Sequence, residues 1–341
     1  MRRMFFGATV AAALTASAVL AVAPSVARAE PVKIKAAWAA VPGQMFPILM
    51  QMKDVLVHYG KSYTVEAIRA PGSGPQTTAL ATGDISLAYF APAAFALAIQ
   101  NAHMSDLRLI GVATRDGYQD YFTRPFAVLK DSPIKKVEDL KGKVIGDNSI
   151  GGAMDIGMRA MLKRHGLEDK RDYTVVEIEF PNMMAAITAK RVDMGFLTTP
   201  FSVEPMKTGQ VRALFTEKDA MEGPSELTII AGRVPYIKEN RAALVDYFED
   251  TNRAMRWILD PKNRAAAIKL VADFTKKPES DWSGWIFTKG DDYHAPDSRP
   301  DVAAMQKNLD IARQLGVLKE NIDVKAYADL SLVDEAAARI H

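Results

Sequence analysis

The chain contains no cysteine. This excludes disulfides, thiolate metal ligands, thiol nucleophiles and a lipid-modified cysteine behind a leader. Other signatures are missing too. No G-x-S-x-G elbow is present to expose a serine nucleophile. The stretch Asn148 to Asp155 has no lysine at Walker A spacing and no G-x-G-x-x-G, which sets aside ATPase and dinucleotide-dependent readings. His58, His103, His165, His294 and His341 are scattered, without H-E-x-x-H or a pair four apart, so neither a metal site nor a cofactor is expected. An excess of one charge is also lacking. The chain has 43 bases and 41 acids, and residues 1–29 hold three arginines and no acid, which leaves 40 bases against 41 acids and a net charge of −1. Such a balance gives no support to a nucleic-acid or anionic-membrane partner, and any attraction for an anion has to be local. No internal repeat or low-complexity segment supports a structural or adhesive role.

What is present begins with a leader. Arg2 and Arg3 are followed by a small and apolar run over residues 4–23, and Ala27-Arg28-Ala29 has the A-x-A form of a signal-peptidase site, so cleavage is expected before Glu30. Without a lipid-anchored cysteine or a second long apolar run, the exported chain is expected free in the periplasm. The two leading arginines leave the Sec and twin-arginine routes both open.

Beyond Pro31, β-rich runs alternate with helical ones, and 341 residues suffice for two domains of roughly 100–200 residues. Residues 32–38, 63–68, 84–90 and 107–114 read as strands; residues 45–59, the run from Gln76 to Thr82, and 92–102 read as helices. The segment DGYQDYFTRPFAVLK (116–130) breaks the rhythm, and the pattern then restarts with strands at 143–147, 174–180 and 192–199. The order predicts largely parallel sheets flanked by helices. The strand ELTIIAGRV (226–234) is a candidate to carry the chain back, and the rest is mostly helical. Methionines in NMMAAI and GMRAML, and the Trp282/Trp285 pair, read as packing residues.

The two halves share a sub-pattern. TTALATGDISLAYFAP (77–92) and AAITAKRVDMGFLTTP (185–200) each run helix, turn, short apolar strand, proline. Open parallel sheets bind ligands outside the carboxyl ends of their strands, so two such ends facing one another make a cleft. The loops at those ends are Trp38–Gln44, Pro71–Gln76 with Ser73 and Gly74, Phe90–Pro92 with Ala91, Asn148–Ala153 with Ser149, Gly151 and Gly152, and Thr198–Phe201 with Thr199. Unpaired amides at a helix start attract an anion without a formal charge nearby. The competing reading of Asn148–Ala153 is capping and tight packing alone. Trp38, Phe90, Tyr118, Tyr121 and Phe201 are candidate pocket walls. Arg115 is a candidate partner for a carboxylate or sulfonate.

VKIKAAW, TTALATGDISLAYFAP, FAVLKDSPIKKVEDLKGKVIGDNSIGGA, AAITAKRVDMGFLTTPFSVEP and LDIARQLGVLKENIDVKAYADLSLVDEAA together resemble the substrate-binding proteins of ABC importers, in the branch of nitrate, alkanesulfonate, taurine and pyrimidine-precursor binders. The resemblance implies a two-lobe, type II-like periplasmic binding fold of the α/β class, with residues 30–124 and 232–341 in lobe I and 125–231 in lobe II. It implies ligand contacts from Gln44, Ser73, Gly74, Phe90, Ala91, Asn148 to Ala153, and Thr198 to Phe201. It further implies a monomer that captures a small organic anion and delivers it to the permease. The alternatives are a neutral or pyrimidine-type ligand stacked on Trp38 or Tyr121, and an enzyme on the same fold. The related pyrimidine-synthesising enzymes depend on a cysteine-rich motif, which this chain lacks. Thr198-Thr199-Pro200-Phe201 departs from the sulfonate-type pattern, in which an acid often precedes the proline, and the Gly-Gly of the opening loop departs as well.

Overall fold

The computed structural model describes Met1 and residues 30–340; apart from Met1, the leader read over residues 1–29 lies outside the described residues, as does His341. Among the described residues, eleven strands form two sheets. The six-stranded sheet holds β1 (Val32–Trp38), β2 (Tyr63–Arg69), β3 (Leu87–Phe90), β4 (Leu107–Asp116), β10 (Ser225–Arg233) and β11 (Tyr293–His294), in the order β11-β4-β10-β3-β1-β2. The five-stranded sheet holds β5 (Pro125–Leu129), β6 (Lys143–Asp147), β7 (Tyr173–Glu177), β8 (Met194–Phe196) and β9 (Val211–Thr216), in the order β7-β6-β8-β5-β9. The helices at the strand ends are α1 (Phe46–Leu49), α2 (Ser73–Thr82), α3 (Pro92–Asn101), α4 (Ala153–Arg164) and α5 (Phe180–Thr188). Then come α6 (Val203–Lys207), α7 (Glu217–Ala220), α8 (Val234–Glu239), α9 (Arg241–Leu259) and α10 (Arg264–Thr275).

Both sheets are built to one plan. A parallel trio, β2-β1-β3 or β7-β6-β8, is extended by a strand that arrives from the other half and inserts antiparallel. That strand is β10 between β3 and β4, and β5 between β8 and β9. The sheets are therefore mixed, with parallel pairing confined to the trios. The reason is topological: the chain crosses between sheets at residues 117–124 and 217–224, and each returning strand enters the neighbouring sheet from the crossing side. β10 belongs wholly to the six-stranded sheet.

The six-stranded sheet is covered on both faces, and side-chain alternation sorts its residues. Leu87, Tyr89 and Ile230 enter one core with Tyr247 and Phe248 of α9, whereas Ala88, Phe90, Ile229 and Ala231 enter another with Phe95 of α3. All four β3 residues are buried, which explains its unbroken apolar reading. The five-stranded sheet has its own core around Phe126, Ile145, Met158, Met183 and Phe196. The methionine stripes are core, and Trp282 packs on Trp285 with ring centroids 5.7 Å apart.

The helix expected over 45–59 ends at Leu49. Its apolar residues are still buried, with Met50, Met52 and Leu56 in the core, but the chain turns. Tertiary hydrogen bonds account for this: the Asp250 carboxylate of α9 accepts from the amides of Val57, His58 and Tyr59 at 2.7–3.0 Å, and an uninterrupted helix would have used those amides internally. Among the described residues no helix is long and apolar enough to cross a membrane.

Candidate functional site

The starts of α2 and α4 come from different sheets and meet across one cavity of about 120 Å³. A Cβ placed on Gly72, which has φ +79°, would lie 3.5 Å from the Ser149 hydroxyl. Ser73 and Ser149 thus share a single hollow.

On the α2 side, neutral side chains hold the rim. Gln44 Nε2 donates to Tyr89 O at 3.0 Å and its Oε1 accepts from Ala39 N at 2.5 Å. Gln76 Oε1 accepts from Tyr89 N at 2.8 Å and its Nε2 donates to Ala70 O at 3.3 Å. The end of β3 is therefore clamped by two buried glutamines. The Ser73 hydroxyl accepts from Ala91 N at 3.1 Å, which ties α2 to the loop before α3.

On the α4 side, carboxylates hold the rim. Asp147 accepts from Ser149 N at 2.9 Å, Glu177 from Ile150 N at 2.8 Å and Asp155 from Gly151 N at 2.8 Å. The loop amides up to Gly151 are consumed inside the protein. The amides of Ala153 and Met154 lie in the first turn of α4 and have no intrahelical acceptor. Burial, then the neighbouring Asp155, pushes the Asp147 carboxyl up to about 8. Burial raises Asp155 as well, against the pull of Arg159, whose Nε donates to it at 2.7 Å.

Arg124, at the end of the first crossover, is among the described residues the one charged side chain lining the cavity. Its guanidinium bonds Asp116 at 3.0 Å and Asp292 at 2.8 Å. Burial opposes this charge, and the Asp292 and Asp116 carboxylates outweigh the burial and raise its pKa. Glu217 opens the second crossover: its amide donates to Arg124 O at 2.9 Å, and its side chain fills the place where a Cβ on Gly157 would stand. Burial holds Glu217 well above the usual carboxylate range, with Asp116 adding to the rise. Thr199 lines the cavity, and its buried hydroxyl has no hydrogen-bond partner among the described residues.

Of the residues singled out in the sequence, Gln44, Ser73, Phe90, Ala91, Asn148, Ser149, Gly152, Ala153, Thr198, Thr199 and Phe201 converge on this cavity. Gly74 does not line it, because it sits one residue further into α2. Gly151 does not line it either, its amide being turned to Asp155. Trp38 lies in an adjoining outer hollow and packs edge-on against Phe274. Arg115 is engaged elsewhere: its Nε donates to buried Glu226 at 3.0 Å, its Nη2 donates to Arg299 O, and its guanidinium lies 4.9 Å from the Tyr118 ring centroid. Tyr118 and Tyr121 pack against Tyr293, outside the cavity. A strand-end arginine is drawn to the nearest buried carboxylate, and Glu226 is cross-strand from Arg115. Sequence reasoning missed Arg124, Phe180 and Phe196, and named Gln76 only as the end of the Pro71–Gln76 loop. A signal existed for Arg124, the base nearest the restart of the β pattern. For Gln76 the signal was only a long polar residue in a turn of small ones.

His58, Asp246 and Glu249 bring ligand-type atoms within 4.8 Å of one another. Arg339 also reaches this group, at 3.0 Å from Asp246 and 3.8 Å from Glu249, and supplies the countercharge.

The chain belongs to the NMT1/THI5-like family, whose model matches residues 64–265. No curated protein matches it in sequence. Among solved structures it is similar to the periplasmic aliphatic sulphonate-binding protein SsuA from Escherichia coli, at 19% identity and TM-score 0.67, over 87% of this chain and 91% of that one. It is also similar to the periplasmic nitrate-binding protein NrtA from Synechocystis PCC 6803, at 16% identity and TM-score 0.70, over 92% and 90% of the two chains. The desulfurization enzyme DSZB has the same fold, at 16% identity and TM-score 0.63, over 91% of this chain and 100% of that one. The fold is thus that of the two-lobe periplasmic binding proteins, shared mostly with binding proteins and also with an enzyme.

Proposed function

We propose that this protein is a periplasmic solute receptor that holds a small organic acid, a carboxylate or sulfonate, between its two sheets and passes it to an importer in the membrane. The observation that carries the reading is the shared cavity: two helix starts that follow strands of separate sheets line one hollow of about 120 Å³. A ligand touching both rims binds the closed arrangement better than an open one, and that difference drives closure. The first-turn amides of α2 and α4 and the Thr199 hydroxyl are the donors for an oxyanion head. The lobes are residues from Pro31 up to the first crossover together with β10 and the chain after it, and the segment from β5 through β9.

One observation favours a second reading. Arg124 already sits between two carboxylates, so the cavity wall carries no uncompensated positive side chain. A neutral pyrimidine-type ring held by Phe90, Phe196 and Phe201 fits that charge state.

Isothermal titration of refolded, ligand-stripped protein with small carboxylates, sulfonates and pyrimidines separates the two. Saturable one-to-one binding of an oxyanion is the expected result. Heat from pyrimidines alone selects the second reading, and silence from the whole panel overturns both.

A further inference from the structure

Glu217 is a buried carboxyl that takes no part in the cavity, since it does not line that hollow. It is 1% exposed, its Oε2 has no hydrogen-bond partner among the described residues, and it is the first residue of the second crossover. The place it fills is shaped for it. Gly157 lies inside α4, where a helix disfavours glycine, and a Cβ added there would overlap the Glu217 carboxyl, with Cδ only 2.6 Å away. Two locally unfavourable residues, a glycine within a helix and an unpaired buried acid, therefore fit one another.

Through α4 this contact reaches the site. The first turn of α4 lines the cavity at Ala153 and Met154, and Ile156 is buried with Phe95, Met305 and Leu309 in a core of the six-stranded sheet. The helix thus touches both halves. At its other end Lys163 Nζ donates to Gln314 O at 2.9 Å, and Arg164 donates to Ala220 O at 2.7 Å and to Asp219 O at 2.9 Å. The far end of α7 is held by a permanent cation, its near end by a group that titrates.

We infer that Glu217 is a positioning residue with two states: as the neutral acid it sits in the Gly157 notch and pins the second crossover to α4, and as the carboxylate it leaves the notch and lets α4 move relative to the six-stranded sheet. The arrangement of the two halves then depends on pH, whatever ligand the cavity takes. The groups around Glu217 set the sign. Asp116 at the end of β4 and Asp147 at the end of β6 oppose its ionisation, and Arg124 on the first crossover favours it. The Arg124 guanidinium is already bonded to Asp116 and Asp292. On α4, Arg159 is paired with Asp155 and Asp169, and Arg164 is spent on the α7 carbonyls. On α7, Lys218 faces Asp120, and Asp219 bonds the Thr216 amide and hydroxyl. None of these bases is free to pair with Glu217. Burial dominates and holds the carboxyl protonated above the 4.5 of an ordinary glutamate. Seating in the notch is therefore complete below that value and is lost as pH rises through the raised one.

Small-angle scattering of the purified, ligand-free protein from pH 5 to pH 10 reads the arrangement of the halves. The radius of gyration should increase with pH in the wild type and stay constant in Glu217→Gln, which keeps the shape of the acid and cannot ionise. A wild-type radius that does not change, or a change that survives in Glu217→Gln, overturns the inference. Asp147→Asn should keep the response with its midpoint at lower pH, because Asp147 opposes ionisation of Glu217. Loss of the response in that variant would put the proton on Asp147 and would overturn the inference too. Urea denaturation tests the notch without reference to pH. Gly157→Ala should lower the midpoint in the wild type and raise it in a Glu217→Ala background, where the helix gains a better helix former and displaces nothing. A loss of equal size in both backgrounds would show that Glu217 does not occupy the notch, which also overturns the inference.

Discussion

The two rims of the cavity do the same work with different chemistry. The α2 rim is held by glutamines and a serine, none of which titrates. The α4 rim is held by Asp147, Glu177 and Asp155, and burial raises the pKa of Asp147 and Asp155, with Asp155 adding to the rise at Asp147. A neutral scaffold keeps its donors and acceptors at any pH. An acidic one lacks that constancy, because ionisation of Asp147 or Asp155 changes the acceptor to which the Ser149 or Gly151 amide donates.

The comparison is broken most directly where the rims touch. Gly72→Val adds a branched side chain against Ser149 and forces it into φ 79°, ψ 169°, a region essentially reserved for glycine, at a backbone cost of roughly 1–3 kcal/mol. Affinity for the ligand found by titration should fall at least tenfold, and small-angle scattering should report a more open molecule. An unchanged affinity would mean that the rims do not close on a common guest. Next, Gln76→Ala leaves the Tyr89 amide buried without its acceptor, a cost of about 1–3 kcal/mol. Urea denaturation should show this loss equally at pH 5 and pH 8, as expected of a neutral rim.

The pH response belongs to the other rim. In the folded chain the Asp147 carboxyl is held at about 8 against an ordinary 3.8, so between these values the folded state binds the extra proton. Its contribution to stability is complete below about pH 3.8 and is lost progressively as pH rises towards 8. Asp147→Asn retains an acceptor for Ser149 N and cannot ionise. Thermal melts should show wild-type stability falling more steeply than that of the variant between pH 5 and 8, and parallel slopes would refute the assignment. The smallest effects are expected at positions outside the cavity. Gly74→Ala meets open space and should stabilise α2 by about 0.4–1 kcal/mol in denaturant titrations while leaving affinity within twofold.

The fold was readable because its cause is local. β3 is buried on both faces and reads as an unbroken apolar run, while the glycines and prolines around α2 and α4 mark strand-to-helix turns. Most of the cavity loops followed from those turns. Arg115 shows where local reading stops: it stands at a strand end, as a ligand-binding arginine would, yet Glu226 on the neighbouring strand takes it. Arg124 takes the cavity position because Asp116 and Asp292 hold it there, and Asp292 lies 168 residues away. The early end of α1 has the same origin, with Asp250 capturing amides some 190 residues distant.

The order of strands and helices, the near-neutral charge and the small-residue helix starts were set by the sequence itself, since each depends on neighbours within a few positions. Which arginine faces the cavity, which strand returns to which sheet, and which carboxylates keep their protons were settled only in three dimensions. Those outcomes depend on the partner and the burial that each group meets, and both are supplied by distant parts of the chain.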